Sequence, residues 1–319
     1  MARRTTHVPT LALPLYGGLR DPNAPIHGAN IAITEALESI VRFSAFPRIR
    51  VFAPADHPIP PIESWLGGIR PLVRAGAEGL SVESTASIPH RPWGHVDAWH
   101  SVTGRNTRGL HIRRVVGGRF PVTGVHHSFA GNSELHEWVL RLLLDDVRPY
   151  DSQLATSRSG QLATRRIIRQ VQRSLERQLG CTLPYRGRVD LAPLGVDTEV
   201  FRPRDKLEVR RELGLPVDEL LVLWVGRLSA AGKADLVPGM TVVAELMHRT
   251  PQPIRLVIAG ADDEGYVATL RTHAAALGIA ERVWLQVPLP PAQRHLWHAA
   301  ADVFISPADG MNGTSVRWM

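Results

Sequence analysis

Between Leu220 and Leu236 the chain reads LLVLWVGRLSAAGKADL, an apolar run followed by a small-residue loop that carries two cations, Arg227 and Lys233. The run suits a buried strand and the residues after Ala234 suit a helix. A helix N-terminus beside loop cations is an anion site, because unpaired backbone amides and the helix dipole both favour phosphate. Arg227 and Lys233 are therefore candidates for gripping phosphate, with an ordinary solvated role as the plain alternative. The loop of nucleoside triphosphatases fits poorly here. Five residues rather than four separate Gly226 from Gly232 and Lys233, and Ala234 stands where a Ser or Thr would hold magnesium. No G-x-G-x-x-G follows any candidate strand, which argues against a dinucleotide fingerprint.

Other candidates lie earlier in the chain. Gly17, Gly18 and Gly28 follow the first apolar run in YGGLRDPNAPIHGAN, where glycines indicate either unusual backbone angles or close approach of a ligand phosphate. His126 and His127 directly follow the apolar stretch from Pro121 to Val125. Neighbours leaving a strand point in opposite directions, so one of the two is expected to face a ligand and donate a hydrogen bond to a hydroxyl or a developing charge. His95 and His100 are weaker candidates. Asp97 and His100 are metal-type ligands without a third at convincing spacing, so no metal is expected.

The elements that must position these residues alternate along the chain as short apolar runs and amphipathic helical stretches, the pattern of a mostly parallel sheet covered on both faces. Strands are predicted near Val8 to Leu15, Arg48 to Phe52, His95 to Trp99, Pro121 to His126, Gln153 to Ala155 and Arg188 to Pro193. Helices between them span Asn30 to Phe43, Glu134 to Asp146 and Ser159 to Leu179. A second series follows a short helix around Leu207 to Leu213. Its strands are Leu220 to Val225, Ile254 to Ala259, Val283 to Val287 and Val303 to Ser306, with helices near Asp235 to His248, Gly265 to Leu277 and Pro291 to Ala300. Two doubly wound α/β domains, residues 1–195 and 196–319, are expected, with a ligand cleft at the carboxyl ends of their strands. The Pro-rich stretch from Pro54 to Pro61 interrupts the first series without a functional reading.

Composition narrows the setting. The 319 residues are 44% hydrophobic, ample for two cores, and Cys181 is the single cysteine, which excludes an internal disulfide and a cysteine-based zinc cluster. No apolar run approaches the roughly 18 residues of a membrane span, and a cytoplasmic location is the simplest expectation. The net charge is +7, yet arginine is dispersed and Lys206 and Lys233 are the only lysines. One concentrated stretch, Arg165, Arg166, Arg169, Arg173 and Arg177, follows helical spacing; a solvated face explains it better than a patch for an anionic membrane, which stays open. No nucleic-acid partner is expected.

Together the segments resemble the retaining GT-B glycosyltransferases of family 4, also called glycosyl transferases group 1. LAPLGVDTEVFRP (Leu191 to Pro203) is similar to that family's interdomain segment and VGRLSAAGKADL to its diphosphate-binding loop; LVIAGADDEG and AADVFISPADG continue the order. YGGLRDPNAPIHGAN resembles the donor-side glycine loop, and TGVHHSF the strand ending in an active-site histidine. The resemblance implies two Rossmann-like domains and a nucleoside-diphosphate-sugar donor held by Arg227 and Lys233. It implies His127 beside the transferred sugar, Gly17, Gly18 and Gly28 at the donor, and Gly260 and the backbone around Val287 beside the base. It further implies a glycan, lipid-linked or small-molecule acceptor, retention of configuration, and no cofactor. The family pattern then requires a glutamate, seven further residues and a second glutamate, but Gly313 occupies the first position and TSVRWM has no family likeness. A second domain truncated there, with little transfer activity and a sheet less covered around Val303 to Ser306, is the expectation; a non-catalytic nucleotide- or partner-binding remnant is the alternative.

Overall fold

The computed structural model describes residues 7–15, 28–53, 59–69, 79–85, 95–102, 106–126, 135–262 and 264–307. The chain divides into two compact units, with the change along the sequence between Leu194 and Gly195.

The first unit holds seven strands, β1 (Thr10–Pro14), β2 (Arg48–Ala53), β3 (Gly79–Ser84), β4 (Ala98–Ser101), β5 (Val122–His126), β6 (Ser152–Ala155) and β7 (Arg188–Leu191). Every pairing is parallel and the order is β3-β2-β1-β4-β5-β6-β7. Growth runs outward from β1 to β3, then restarts on the other side with β4. That reversal between β1 and β4 opens a crevice at the carboxyl ends of the strands, where doubly wound sheets place ligands. Helices α1 (Gly28–Phe43), α2 (Ile59–Ile69), α3 (Thr107–Val115), α4 (Leu135–Leu144) and α5 (Arg158–Leu179) supply the connections. Alternate residues of one strand serve opposite layers. Leu11 and Leu13 pack with Leu37, Val51 and Leu66, whereas Ala12 joins Phe52, Trp99, Leu110 and Val122.

Three elements escape the sequence pattern. In β3 the residues of GLSVES are mostly half-exposed and Glu83 pairs with Arg50 at 2.6 Å, so an edge strand reads as polar. Helix α2 begins inside the Pro-rich stretch, with Pro60 and Pro61 in its first turn, where no intrahelical amide is lost. Its Gly67 and Gly68, like Gly109 in α3, resemble loop signals. Strand β4 also lies later than expected, because Asp97 caps its start rather than joining it.

The second unit contains α6 (Lys206–Glu212), β8 (Leu220–Arg227), α7 (Leu236–Arg249), β9 (Ile254–Ala261), α8 (Tyr266–Ala276), β10 (Val283–Gln286), α9 (Arg294–Ala300) and β11 (Val303–Phe304). Its parallel sheet has the order β10-β9-β8-β11, so the reversal falls between β8 and β11. Trp224, Met240, Ile258 and Leu270 fill one side of it, and Leu221, Leu223, Val257 and Trp297 the other. Strand β11 is an edge whose Val303 is 44% exposed.

Each sheet is pinned near its amino end by a buried arginine and an aspartate. Arg113 of α3 meets both carboxylate oxygens of Asp151 at 2.7 and 2.8 Å, and Asp151 also accepts the amides of Val122 and Arg148. In the second unit Arg210 of α6 donates to Asp302 and to the carbonyls of Ala300 and Glu219. Asp302 in turn accepts the amide of Leu221 at 2.7 Å and the Lys206 ammonium at 2.6 Å.

Candidate functional site

The carboxyl ends of β8, β9 and β10 form the floor of the site. Gly226 is in register with Gly260, and Arg227 with Ala261. A Cβ built at Gly260 would lie 1.7 Å from the Gly226 carbonyl oxygen, so only glycine permits the two backbones to meet there. The chain leaving β10 then folds over β9, since the Leu289 amide donates to the Gly260 carbonyl at 2.8 Å. Arg227, Gly260 and Val287 thus lie at or within one residue of the carboxyl ends of three neighbouring parallel strands.

Past Arg227 the chain winds around one residue. Ser229 is fully buried; its hydroxyl accepts the Gly232 amide at 2.9 Å, and its carbonyl accepts the amides of Lys233 and Ala234. A Cβ at Gly232 would fall 2.7 Å from the Ser229 hydroxyl and 3.0 Å from a terminal nitrogen of Arg227. The bare glycine therefore lets the guanidinium lie across the loop. Both Arg227 and Lys233 are half-buried, and they border the same turn. Small residues in SAAGKA are what allow so tight a winding, with two positive charges held against low-dielectric backbone.

The first amides of α7 already have partners within the second unit. Leu236, the first, donates to the Tyr266 hydroxyl at 3.0 Å, and Val237, the second, to the Asp235 carboxylate at 3.0 Å. The third position is Pro238, which has no amide hydrogen. The Tyr266 hydroxyl also donates to Asp235 at 2.7 Å; burial and this carboxylate push the phenol's pKa upward. The donors that a phosphate would need at the helix end are thus occupied. Asp262 caps α8 in the same way, accepting the amides of Tyr266 and Val267. Arg227 and Lys233 remain as the cations that border this loop.

In the first unit His126 ends β5. It is 8% exposed and its ring stacks on Trp138 of α4, with centroids 4.9 Å apart. His126 is thus a packed residue. His127, Gly17 and Gly18 lie outside the described residues, as do residues 308–319, which include Gly313; Gly28 opens α1. His100 points to the Thr123 hydroxyl at 2.8 Å, and partial burial lowers its pKa to about 4, so it is neutral at neutral pH. Sequence reasoning missed Ser229 and Tyr266, and nothing local announces either one. Both act through hydrogen bonds, and Tyr266 does so from 30 residues away.

With that geometry in place, comparison with known proteins is informative. No family model matches the chain. Solved structures align over nearly all of it: sucrose-phosphate synthase from Thermosynechococcus elongatus has a TM-score of 0.57 at 16% identity, covering 97% of this chain and 77% of that one. An E. coli structure described as trehalose-6-phosphate bound with UDP-2-fluoro glucose reaches a TM-score of 0.60 at 13% identity, covering 96% and 79%. The fold is GT-B. A GT-B chain consists of two Rossmann-like halves, and the two parallel sheets described above are those halves.

Similarity in sequence is more local. D-inositol 3-phosphate glycosyltransferase of Acidothermus cellulolyticus is 38% identical over 128 residues, covering 38% of this chain and 28% of that protein. The protein of that name from Segniliparus rotundus is 36% identical over 126 residues, covering 38% and 27%. The chain therefore matches less than a third of the length of these relatives. Among the described residues no helix is long and apolar enough to cross a membrane.

Proposed function

We propose that the protein transfers a sugar from a nucleoside-diphosphate sugar to an acceptor hydroxyl, with Arg227 and Lys233 gripping the donor's diphosphate. The observation that carries this reading is the loop of residues 228–235. It sets two half-buried cations around a glycine turn at the carboxyl end of β8, on a GT-B scaffold. Cleaving the bond between sugar and diphosphate leaves negative charge on the departing nucleotide. Fixed cations that oppose this charge as it develops stabilise the transition state more than the ground state.

Within this reading the bare peptide planes at Gly226 and Gly260, with the Val287 backbone, receive the base. As the family resemblance implies, Gly17, Gly18 and Gly28 belong to the donor site and His127 donates to a hydroxyl of the transferred sugar. Transfer proceeds with retention, as the family resemblance implies. The names of the relatives and of the similar structures carry a phosphorylated polyol or a phosphorylated sugar, which supports a small phosphorylated polyhydroxy acceptor over a glycan or a lipid-linked one. We place the protein in the cytoplasm. Arg166, Arg169, Arg173 and Arg177, exposed on α5, would provide peripheral contact with an anionic membrane, whereas Arg165 is engaged with the Val189 carbonyl.

Calorimetric titration of the purified chain with UDP and GDP, followed by turnover of a donor panel, tests the reading. Arg227→Ala and Lys233→Ala should each weaken nucleotide binding by about 1–3 kcal/mol, the range for a lost charged hydrogen bond. Nucleotide binding indifferent to both substitutions would sink the assignment.

A further inference from the structure

At the amino end of the first sheet three metal-type side chains converge. His7 precedes β1 and His95 and Asp97 precede β4; strands β1 and β4 are parallel neighbours, so their leading segments lie side by side. Their ligand atoms all fall within 4.8 Å of one another. The Nε2 atoms of His7 and His95 lie 2.8 and 2.9 Å from the same Asp97 oxygen, Oδ1. The imidazoles stand edge to face with centroids 4.0 Å apart, which aims both nitrogens at one point.

The carboxylate is held for that purpose. Asp97 Oδ2 accepts the Thr10 amide at 2.7 Å, so the group is oriented by the start of β1 and offers its other oxygen to the histidines. An outer hydrogen bond that fixes a ligand's direction is a regular feature of metal sites. The Asp97–His100 pair of the sequence reading lacked a third ligand; the fold replaces His100 with two histidines from elsewhere.

We propose that His7, His95 and Asp97 form a binding site for a divalent transition metal ion of the zinc class, tying the lead into β1 to the lead into β4. Two imidazoles and one carboxylate suit Zn2+, whereas Ca2+ and Mg2+ prefer all-oxygen sets. Metal bonds of about 2.0–2.1 Å in a tetrahedron separate ligand atoms by roughly 3.3 Å. The present spacings need to open by only a few tenths of an ångström. Both histidines are more than half exposed, at 51% and 63%, and can make that adjustment while leaving the outer coordination position to water. The strands put this site about 16 Å from the carboxyl ends, by five residues of β1 at roughly 3.3 Å each, so it is separate from sugar transfer.

The test is titration of the chelator-treated full chain with Zn2+, read by calorimetry and by thermal unfolding, with Mg2+ as the hard-cation comparison. One Zn2+ per chain is expected, with a rise in Tm on binding. His7→Ala and His95→Ala should each weaken that binding by more than about tenfold, since even outer partners of a metal site are worth 10- to 100-fold. His273→Ala, at an exposed histidine beside Thr241, should leave it unchanged. Replacing Zn2+ by Co2+ adds a visible spectrum that reports ligation directly, and it keeps the test decisive if a variant folds poorly. Stoichiometric binding that survives loss of both histidines, a chain that binds no Zn2+, or an equal Tm rise with Mg2+ would overturn the proposal.

Discussion

The two sheets are pinned by the same chemistry at different depths. In the first unit the side chains of Arg113 and Asp151 are 1% and 3% exposed; in the second Arg210 is 3% exposed but Asp302 is 25% exposed and shared with Lys206. A fully desolvated pair offers neither partner an alternative when the other is lost, whereas a carboxylate reached by water can be replaced in part by solvent. The difference teaches that depth, more than the number of hydrogen bonds, decides which unit depends on its clamp. In the second unit it also separates the two ends of the sheet: the Arg210–Asp302 pair fixes the amino end, and the half-buried Arg227 and Lys233 lie at the carboxyl end of β8.

The largest expected effect follows from removing the deeper carboxylate. Asp151→Ala should destabilise the first unit by about 3–5 kcal/mol, because it strands the Arg113 guanidinium and the Val122 amide. Denaturant unfolding measures this. A loss no greater than that of Asp302→Ala would break the comparison.

Acid should next distinguish the units by window. His100 is partly buried and neutral, with its pKa near 4, below its ordinary 6.5. Between those values the unfolded chain takes up a proton that the folded unit refuses, so stability falls as pH drops from 6.5 towards 4, by up to about 3 kcal/mol at 1.4 kcal/mol per unit. Hydrogen exchange of β4 and β5 amides across this range, in the native chain and in His100→Asn, is the check; an unaltered slope in the variant would remove His100 as the cause.

Asp302 responds in the other direction of the scale. Partial burial raises its pKa, but Lys206, the Leu221 amide and Arg210 outweigh this and leave it below the ordinary 3.8. Its contribution is therefore present above that value and disappears as pH falls through the lowered one. Asp302→Ala should cost the second unit about 1–3 kcal/mol at neutral pH, with the difference from the native chain vanishing in strong acid. A difference that persists there would show that packing rather than charge is at work.

The smallest effect concerns the occupied helix end. Tyr266→Phe should cost about 0.5–1.5 kcal/mol, the usual net value of a hydrogen bond, while leaving nucleotide affinity undiminished because Arg227 and Lys233 supply it. A fall in affinity comparable with that of Arg227→Ala would mean that the α7 end shapes the anion site after all.

Much of this arrangement was legible in the residues. Strands β8 and β9 of the second unit are nearly uniform apolar runs, as burial on both faces demands, and Arg227, Gly260 and Val287 fall at or within one residue of the carboxyl ends of β8, β9 and β10. The edge strand β3 was hidden because its outward residues are polar, and α2 because Pro60 and Gly67 imitate loop punctuation. Tertiary hydrogen bonds were the true blind spot. That Tyr266 would silence the amides of α7, or that His7 would meet Asp97 across 90 residues, depends on strand order and has no local signature.

The contact between Gly226 and Gly260 has a consequence for how this chain can vary. At 1.7 Å from a carbonyl oxygen even a methyl group is impossible, so position 260 has an alphabet of one letter. Substitution elsewhere on the floor can proceed in small volume steps; here the first step is already closed. The approach of these two strands is fixed at the backbone, and drift in the surrounding sequence can alter the side chains around it but not the approach itself.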